Sequence, residues 1–531
     1  MHPLQDQHVL ILGLGLSGLA MARWCTRNGA RLTVADTRED APQLEALRTE
    51  LPEARFIGGE FSEALLDDGV QLVLRSPGLS PDQVAPVVAP AMARSVVVGG
   101  ELSLFASALA DLKANQGYAP AVLAVTGTNG KTTVTALTGQ LVERSGKRVA
   151  VAGNIGPTLL DTLTEKIDGE SLPDVWVIEL SSFQLEAAGD FEPTAAAVLN
   201  VTQDHLDWHG TMDAYAASKQ RVFGKSTLMI LNREDPLVMK MLPGAAGPPQ
   251  GVRAPSGGSA AASAASVGAK SPVKVKGGRM EQRAYLTFGG DMPQRPEDFG
   301  IESVNGMAWL VRALEADETR RRRGEEAEEI HIQRLMPADA LRIRGRHNAV
   351  NALSALALAT AAGCALGPML YGLREYRGEP HRVEPVGIIN GVEYFDDSKG
   401  TNVGATVAAL QGLGAERKLV VILGGDGKGQ DFSPLAAPVS RYARAAVLLG
   451  RDAPLIREVL APAGVRMIEA GSMEEAVAQA TEVAQPGDAV LMSPACASFD
   501  MFRNYPHRAE VFRAAVRAVA DAKGVELEGT A

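Results

Sequence analysis

Thr126-Gly127-Thr128-Asn129-Gly130-Lys131-Thr132-Thr133 stands between an apolar run at 122–125 and a helical pattern. Glycines, one lysine and threonines between strand and helix suit a triphosphate. Backbone N–H groups cradle the phosphates, Lys131 reaches the β/γ-phosphates and a threonine hydroxyl ligates Mg²⁺. The spacing GxxxxGK[ST] is not met, because Val125 stands where the first glycine would be and the glycine lies at 127. A purely structural turn is disfavoured, since its lysine would face a positive helix end with no anion. The ATP candidates here are Gly127, Thr128, Asn129, Gly130, Lys131, Thr132 and Thr133.

Gly13-Leu14-Gly15-Leu16-Ser17-Gly18 also follows a strand and opens a helix, and Asp36 ends the next strand. Such a turn lets backbone approach a phosphate at a helix N-terminus. Alone it fits a dinucleotide, a nucleotide sugar or a bare turn, and NAD is the usual competitor. A third group surrounds the ATP loop. Glu179 closes an apolar run, and Asn200-Val201-Thr202-Gln203-Asp204-His205-Leu206-Asp207 follows another. Strand C-termini are where α/β sheets place ligands, and a hard carboxylate suits Mg²⁺ beside a triphosphate. His205 is a metal candidate first and a base candidate second. Lys219 lies on a helical pattern at 212–223, where a surface lysine is the plain alternative.

The elements that must position these residues alternate. Short β-branched runs at 8–12, 31–35, 122–126, 175–180, 196–200, 392–396, 419–423 and 489–493 are separated by Ala/Leu-rich helical patterns. This is α/β architecture around parallel sheets. At 531 residues, and roughly 150 per domain, three or four domains are expected. Boundaries are expected in the polar stretch 111–116 and at 377–379, after an Ala-rich helix at 348–362. The domains become 1–112, 113–378 and 379–531. Residues 244–334 differ from the rest. A Gly/Pro/Ala/Ser-rich run at 244–269 predicts a flexible insertion, and the Arg/Glu mixture at 315–329 reads as a solvated surface segment, with an exposed helix as the alternative.

The net charge of −11 argues against general nucleic-acid binding. Cys25, Cys364 and Cys496 form no CxxC pair and no disulfide framework. That fits a reducing compartment, and no apolar stretch is long enough to span a bilayer. A cytoplasmic chain with no membrane insertion is expected.

The chain resembles the Mur ligases, ATP-dependent amide-forming enzymes of peptidoglycan precursor synthesis. The ATP loop, Gly153-Asn154-Ile155-Gly156, Glu179-Leu180-Ser181-Ser182, the segment 200–207 and Gly345-Arg346-His347-Asn348-xx-Asn351-Ala352 occur in that family's order. Three C-terminal segments resemble the branch that adds D-glutamate: Asp396-Asp397-Ser398-Lys399-Gly400-Thr401-Asn402, Gly424-Gly425-Asp426-Gly427-Lys428 and Ser493-Pro494-Ala495-Cys496-Ala497-Ser498-Phe499-Asp500. The likeness covers nearly all of the chain outside 244–334, which makes it longer than typical members. It implies three domains: Rossmann-like, central P-loop-type ATPase and C-terminal Rossmann-like.

The resemblance also implies roles. Gly15, Leu16, Ser17, Asp36, Thr37 and Arg38 would hold the UDP of UDP-N-acetylmuramoyl-L-alanine, and Asn154 and His205 would also contact this substrate. Thr132 and Glu179 would share one Mg²⁺; His205 and a carbamylated Lys219 would hold a second. Asn348 and Asn351, at i and i+3 on one helix face, would meet the adenine, although helix capping also accounts for them. His381, Arg382 and Asp397 would reach ATP from the third domain. Lys399, Thr401, Lys428, Ser498, Phe499 and Tyr505 would form the D-glutamate pocket. Lys428 as a loop lysine and Tyr505 as a core aromatic remain open.

The implied reaction phosphorylates the muramoyl-alanine carboxylate from ATP, because oxide is too poor a leaving group for direct amide formation. The D-glutamate amine then attacks the acyl phosphate, and a tetrahedral intermediate collapses to amide and phosphate. Lys131, Glu179, His205 and Lys219 carry the catalytic expectation. The base for the amine is not identified, and a monomer is expected. Three rivals stand beside this reading: a ligase for another amino acid, an NAD oxidoreductase that leaves the ATP loop unused, and a non-catalytic nucleotide-sugar binder.

Overall fold

The computed structural model describes residues 4–67, 69–243, 283–315 and 330–527. Three sheets organise them. The first runs, in spatial order, Arg55–Gly58, Arg31–Asp36, His8–Leu12, Val70–Arg75 and Val97–Gly99, all parallel. Strand order reverses at His8–Leu12. The crevice outside that strand's C-terminal end is where such sheets bind ligands, and the Gly13–Gly18 turn lies there.

The second sheet runs Ile330–Pro337, Met307–Glu315, Phe299–Val304, Tyr285–Phe288, Leu228–Asn232, Ala195–Val198, Ala121–Thr126, Val175–Glu179 and Val149–Gly153. From Phe299–Val304 to Val149–Gly153 it is parallel, and the two strands at the other edge are antiparallel. The strand that feeds the ATP loop lies between the one ending at Glu179 and the one that leads to Asn200. Three chemistry-bearing strand ends therefore share one rim. The third sheet runs Glu384–Ile389, Val392–Asp396, Ala489–Met492, Leu419–Leu423, Ala443–Leu448 and Arg466–Glu469, with only the first strand antiparallel. Three of its inner strands deliver segments 396–402, 493–500 and 424–428 to a second rim.

The α/β reading holds, with two corrections. Segment 111–116 is no linker, because it forms the last turns of the helix Glu101–Gln116, which ends at left-handed Gly117. Within 244–334, residues 285–288, 299–304, 307–315 and 330–334 are strand residues of the central sheet, so this stretch is not one flexible insertion. Their apolar positions (Phe288, Phe299, Ile301 and Leu310) are buried against the helix Arg346–Ala361. The predicted flexible run at 244–269 and all but the first residue of the Arg/Glu segment at 315–329 lie outside the described residues.

The helix Arg346–Ala361 is alanine-rich because it is enclosed between the sheet and the helix Lys131–Arg144. Small side chains let Asn351 come so near the ATP loop that a Cβ on Gly130 would lie 2.8 Å from its Oδ1. The first two sheets also share one core. Phe105, on Glu101–Gln116, meets Trp176 of the central sheet edge-on, with ring centroids 5.1 Å apart, inside a single apolar cluster. Arg23–Asp161 and Arg27–Asp168 pairs rim this contact, but such exposed pairs contribute little beside the apolar burial. Phe105→Ala should destabilise the chain by about 3–5 kcal/mol, read as a lower urea midpoint. An unchanged midpoint would show that the shared core does not hold the two sheets together.

Candidate active site

The phosphate loop is held open by side chains outside it. The Asn200 side chain accepts from Asn129 N (2.8 Å) and donates to Asn129 O (3.0 Å). Thr128 Oγ1 accepts from Thr202 N, donates to Thr202 O and meets the Tyr215 hydroxyl at 3.2 Å. Gly127 and Gly130 have φ of +152° and +85°, where side chains other than glycine are strained. Lys131 curls back, and its Nζ donates to Gly127 O and Thr128 O, both at 2.8 Å. Thr132 opens the following helix, and its hydroxyl accepts from the Arg382 guanidinium of the third domain. Thr133 is buried one residue further on.

Glu179 is 1% exposed. Its Oε1 accepts from Asn154 Nδ2 at 2.9 Å, while Oε2 is buried without a partner. A buried carboxylate oxygen is costly unless something compensates it. An orphaned hard oxygen at a strand end beside a phosphate loop fits a divalent cation. Asn154 thus stands at Glu179, and its backbone N–H also donates to Glu179 O.

Lys219 is 1% exposed, donates to Gly127 O at 3.0 Å and lies 4.4 Å over the Tyr215 ring. Burial, then the charge of Lys131, pushes its ammonium well below the usual lysine range. Lys219 is therefore no surface lysine. Lys131 is lowered too, by burial first, with Glu179 opposing that shift and Arg382 and Lys399 adding to it. His205 adopts a left-handed backbone (φ +55°) and packs edge-on against Phe183. Its Nε2 lies 3.6 Å from Asp204 Oδ2. Burial lowers its affinity for a proton against the opposing charge of Asp204, and the nearby charges of Lys428, Lys131 and Lys219 add to the lowering, so its neutral form is favoured.

Asn348 and Asn351 do share one helix face. Asn348 Nδ2 donates to Arg344 O, and Asn351 Nδ2 donates to Asn348 Oδ1. Asn351 joins Asn200, Arg346, His347 and Tyr442 in lining a cavity of about 760 Å³ between the central and third domains. His381 is oriented by Asp396, with Nδ1 2.8 Å from Oδ2, and stands edge-on to Tyr505. Arg513 pairs with Asp396 and Glu384 on the far side.

Asp397 accepts from Ser493 Oγ at 2.6 Å and from Val383 N. Lys399 Nζ lies 3.9 Å over the Tyr505 ring, so Tyr505 is a half-buried platform for a cation and not a core aromatic. Thr401 follows on the same loop, with its N–H on Lys399 O. Ser498 is buried, Phe499 is 70% exposed and Lys428 is an exposed loop residue.

At the N-terminal turn, Leu16 is exposed at the rim. Gly15 caps the helix Leu16–Arg27, and Gly18 has no room for a Cβ, which would lie 2.1 Å from Gly13 O. Two of the expected UDP-site residues have partners within the protein. Asp36 is 1% exposed, and its carboxylate accepts from Leu14 N (2.7 Å), Arg38 N and the Arg38 guanidinium. It holds the turn in shape beside Thr37 and Arg38. Ser17 hydrogen-bonds the buried Glu101 carboxylate. The sequence reading missed Asp204, Asn402 and Arg513. The first two lie inside quoted motifs, whereas Arg513 is a lone arginine on the helix Tyr505–Ala522 with no local signal.

The matches to known proteins agree with this geometry. Residues 7–100 match the Mur ligase MurD-like N-terminal domain, 125–263 the Mur ligase middle domain and 381–496 the Mur ligase glutamate ligase domain. The chain belongs to the Mur ligase family. A UDP-N-acetylmuramoylalanine–D-glutamate ligase of Albidiferax ferrireducens is 66% identical across the full length of both chains. The enzyme of that name from Polaromonas sp. is 56% identical, over 99% of this chain and 100% of its own. MurF of Acinetobacter baumannii superposes with a TM-score of 0.54 at 15% identity, covering 96% of this chain and 92% of its own. MurF ligase of Thermotoga maritima, solved with ADP, also gives 0.54 at 14% identity, over 97% and 96%. At such identities these two structures show the fold alone. No helix among the described residues is long and apolar enough to cross a membrane.

Burial pushes the Asp397 carboxyl up to about 7, against its hydrogen bond from Ser493 and the charge of Arg382. Between its ordinary value of 3.8 and about 7 the folded chain holds a proton that the unfolded chain has lost. Stability therefore falls as pH rises through that window. Asp397→Asn keeps the shape and removes the titration. Between about pH 5 and about pH 7 it should lose less thermal stability than the parent. Equal losses would show that Asp397 is already ionised at low pH.

Proposed function

We propose that this chain ligates D-glutamate to UDP-N-acetylmuramoyl-L-alanine at the expense of ATP, giving ADP and phosphate in peptidoglycan precursor synthesis. The observation that carries this reading is the contact that residues flanking the loop 397–401 make with the phosphate loop. Arg382 reaches Thr132, and Asn402 reaches Asn129. The amine of an amino acid held by that loop would arrive beside the γ-phosphate end of ATP.

The chemistry follows from charge. The site gathers Lys131, Arg382 and Lys399 around the loop, with Glu179 and Asp204 as the opposing carboxylates and the Lys219 ammonium disfavoured by burial. Those cations would meet the negative charge of a triphosphate and a dicarboxylate. Lys131 would move from its loop carbonyls onto the phosphates. The UDP-substrate carboxylate attacks the γ-phosphorus and releases ADP, and the amine displaces phosphate from the acyl phosphate. Phosphoryl transfer depends mainly on positioning and charge neutralisation. Mg²⁺, when bound, draws electron density from the transferring phosphoryl group. Thr132 and Glu179 would hold one ion, with His205 and Lys219 at a second. His205 and Asn154 would position the muramoyl end, with its UDP on Gly15, Leu16, Thr37 and Arg38.

For Lys219 to serve a cation it must become an anion. A neutral buried amine can add CO₂, losing one proton, to give a carbamate, and the depressed proton affinity of Lys219 supports this. The amino-acid subsite consists of Lys399, Thr401, Lys428, Ser498, Phe499 and Tyr505. The catalytic units follow the expected 1–112, 113–378 and 379–531, with the first boundary moved to Gly117 at the end of the helix Glu101–Gln116, and the enzyme acts as a cytoplasmic monomer.

Phosphate release from ATP with UDP-N-acetylmuramoyl-L-alanine, over an amino-acid panel, tests the assignment. Release should depend on D-glutamate; release with another amino acid would overturn the specificity. Glu179→Gln should lower kcat by roughly 10²-fold. Protein equilibrated with ¹³CO₂ should show a carbamate resonance that is lost in Lys219→Ala, and its absence from the parent would remove the carbamate from the second metal site.

A further inference from the structure

Asn402 caps the N-terminus of the helix Val403–Gly414, and its side chain leaves the third domain to meet the phosphate loop. All four hydrogen-bonding positions of its amide are used. Oδ1 accepts from Ala405 N (2.9 Å) and from Asn129 Nδ2 (3.2 Å). Nδ2 donates to Asn129 Oδ1 (3.0 Å) and to Asp204 Oδ2 (3.2 Å). A primary amide offers two donors and two acceptor lone pairs, so nothing is left over. The residue is 4% exposed, which excludes competing water and raises the cost of losing any one partner. Close approach is built into the helix as well. A Cβ on Gly404 would lie 3.0 Å from Thr202 Oγ1 and 3.1 Å from Asn129 Nδ2.

The position of Asn402 in the chain gives this contact its meaning. It directly follows Lys399-Gly400-Thr401, the loop assigned to D-glutamate, and its partner Asn129 precedes Gly130 and Lys131. Asn129 is in turn clamped by Asn200, so a shift of the phosphate loop cannot be absorbed locally. We propose that Asn402 is a positioning residue whose reciprocal amide pair with Asn129 couples the ATP loop to the amino-acid loop. Nucleotide binding then sets the D-glutamate side chains in place, and D-glutamate tightens nucleotide binding by the same factor. This rests on the ligase reading for the identity of the amino acid, but the mechanical link does not.

Asn402→Ser separates the two roles of the residue, because a serine hydroxyl still caps the helix while the amide pair is lost. In the full-length enzyme this variant should raise KM for D-glutamate roughly tenfold, with KM for the UDP-substrate unchanged. Combined with Asn129→Ala, the loss should be no greater than that of the worse single variant, since both remove the same pair. Hydrogen exchange provides a readout that needs no turnover. ADP should protect the amides of 399–404 in the parent and leave them unprotected in Asn402→Ser. Additive losses in the double variant, or equal ADP protection in both proteins, would overturn the coupling. Absence of D-glutamate-dependent turnover in the parent, with the exchange difference intact, would count against the substrate assignment and leave the coupling standing.

Discussion

A phosphate-binding loop works only while its backbone N–H groups are held toward one point, and this fold devotes residues from three other segments, with one lysine of the loop itself, to that task. Asn200 grips both faces of the Asn129 peptide group. Thr202 and Tyr215 fix Thr128. Asn351 fills the space over Gly130, and Lys131 ties itself to the loop carbonyls. Each fixing residue comes from a strand end or helix that the central sheet has already placed. The loop is therefore rigid without a single side chain of its own in the packed core beneath it, apart from the threonines. That preorganisation matters because every ångström of loop motion would otherwise have to be frozen out in the transition state.

The same loop explains the electrostatics. Basic side chains converge on the loop at Lys131, Lys219 and Arg382, and the protonated forms of Lys131 and Lys219 are disfavoured there, an arrangement that costs free energy in a protein with no anion to hold. The chain as a whole is acidic, so the cationic pocket is a local exception and not a general surface property. Destabilised cations beside an orphaned Glu179 oxygen are what a site for a polyanion and a divalent ion would show. The N-terminal turn works differently: there the Asp36 carboxylate is matched within the protein by Leu14 N–H and the Arg38 guanidinium.

Much of this was legible in the sequence, for a local reason. The ATP loop, the Gly13–Gly18 turn and the strand-end carboxylate are set by residues within a few positions of one another. Their chemistry survives being read linearly. Residues whose meaning comes from a distant partner were less legible. Asp36 ends its strand as expected, yet only the fold shows that Leu14 and Arg38 occupy its carboxylate. Arg513 acquires its role from Asp396 and Glu384, over a hundred positions away. The strands between 285 and 337 were hidden for another reason. Low-complexity and Arg/Glu-rich neighbours dominate that stretch, and its few buried positions alternate too briefly to outweigh them.

The third domain is the part whose placement sequence patterns say least about, and it completes the site. Its strands and turns are specified locally, but its orientation against the central domain rests on a small set of contacts. Arg382 reaches Thr132, Asn402 reaches Asn129 and Asp204, and the His347 ring fits between Gly345 and Gly412, where added Cβ atoms would lie 2.8 Å from it. The first two domains, by contrast, share a continuous apolar core through Phe105 and Trp176. Apolar burial is insensitive to what occupies the cleft, whereas polar contacts centred on the phosphate loop are not. A boundary built from the latter can respond to a charged ligand, while the boundary built from the former stays fixed and keeps the Gly13–Gly18 turn at a constant distance from the phosphate loop. Under the proposed ligase function, that division of labour would let one substrate be held by a rigid pair of domains while the other is brought to it.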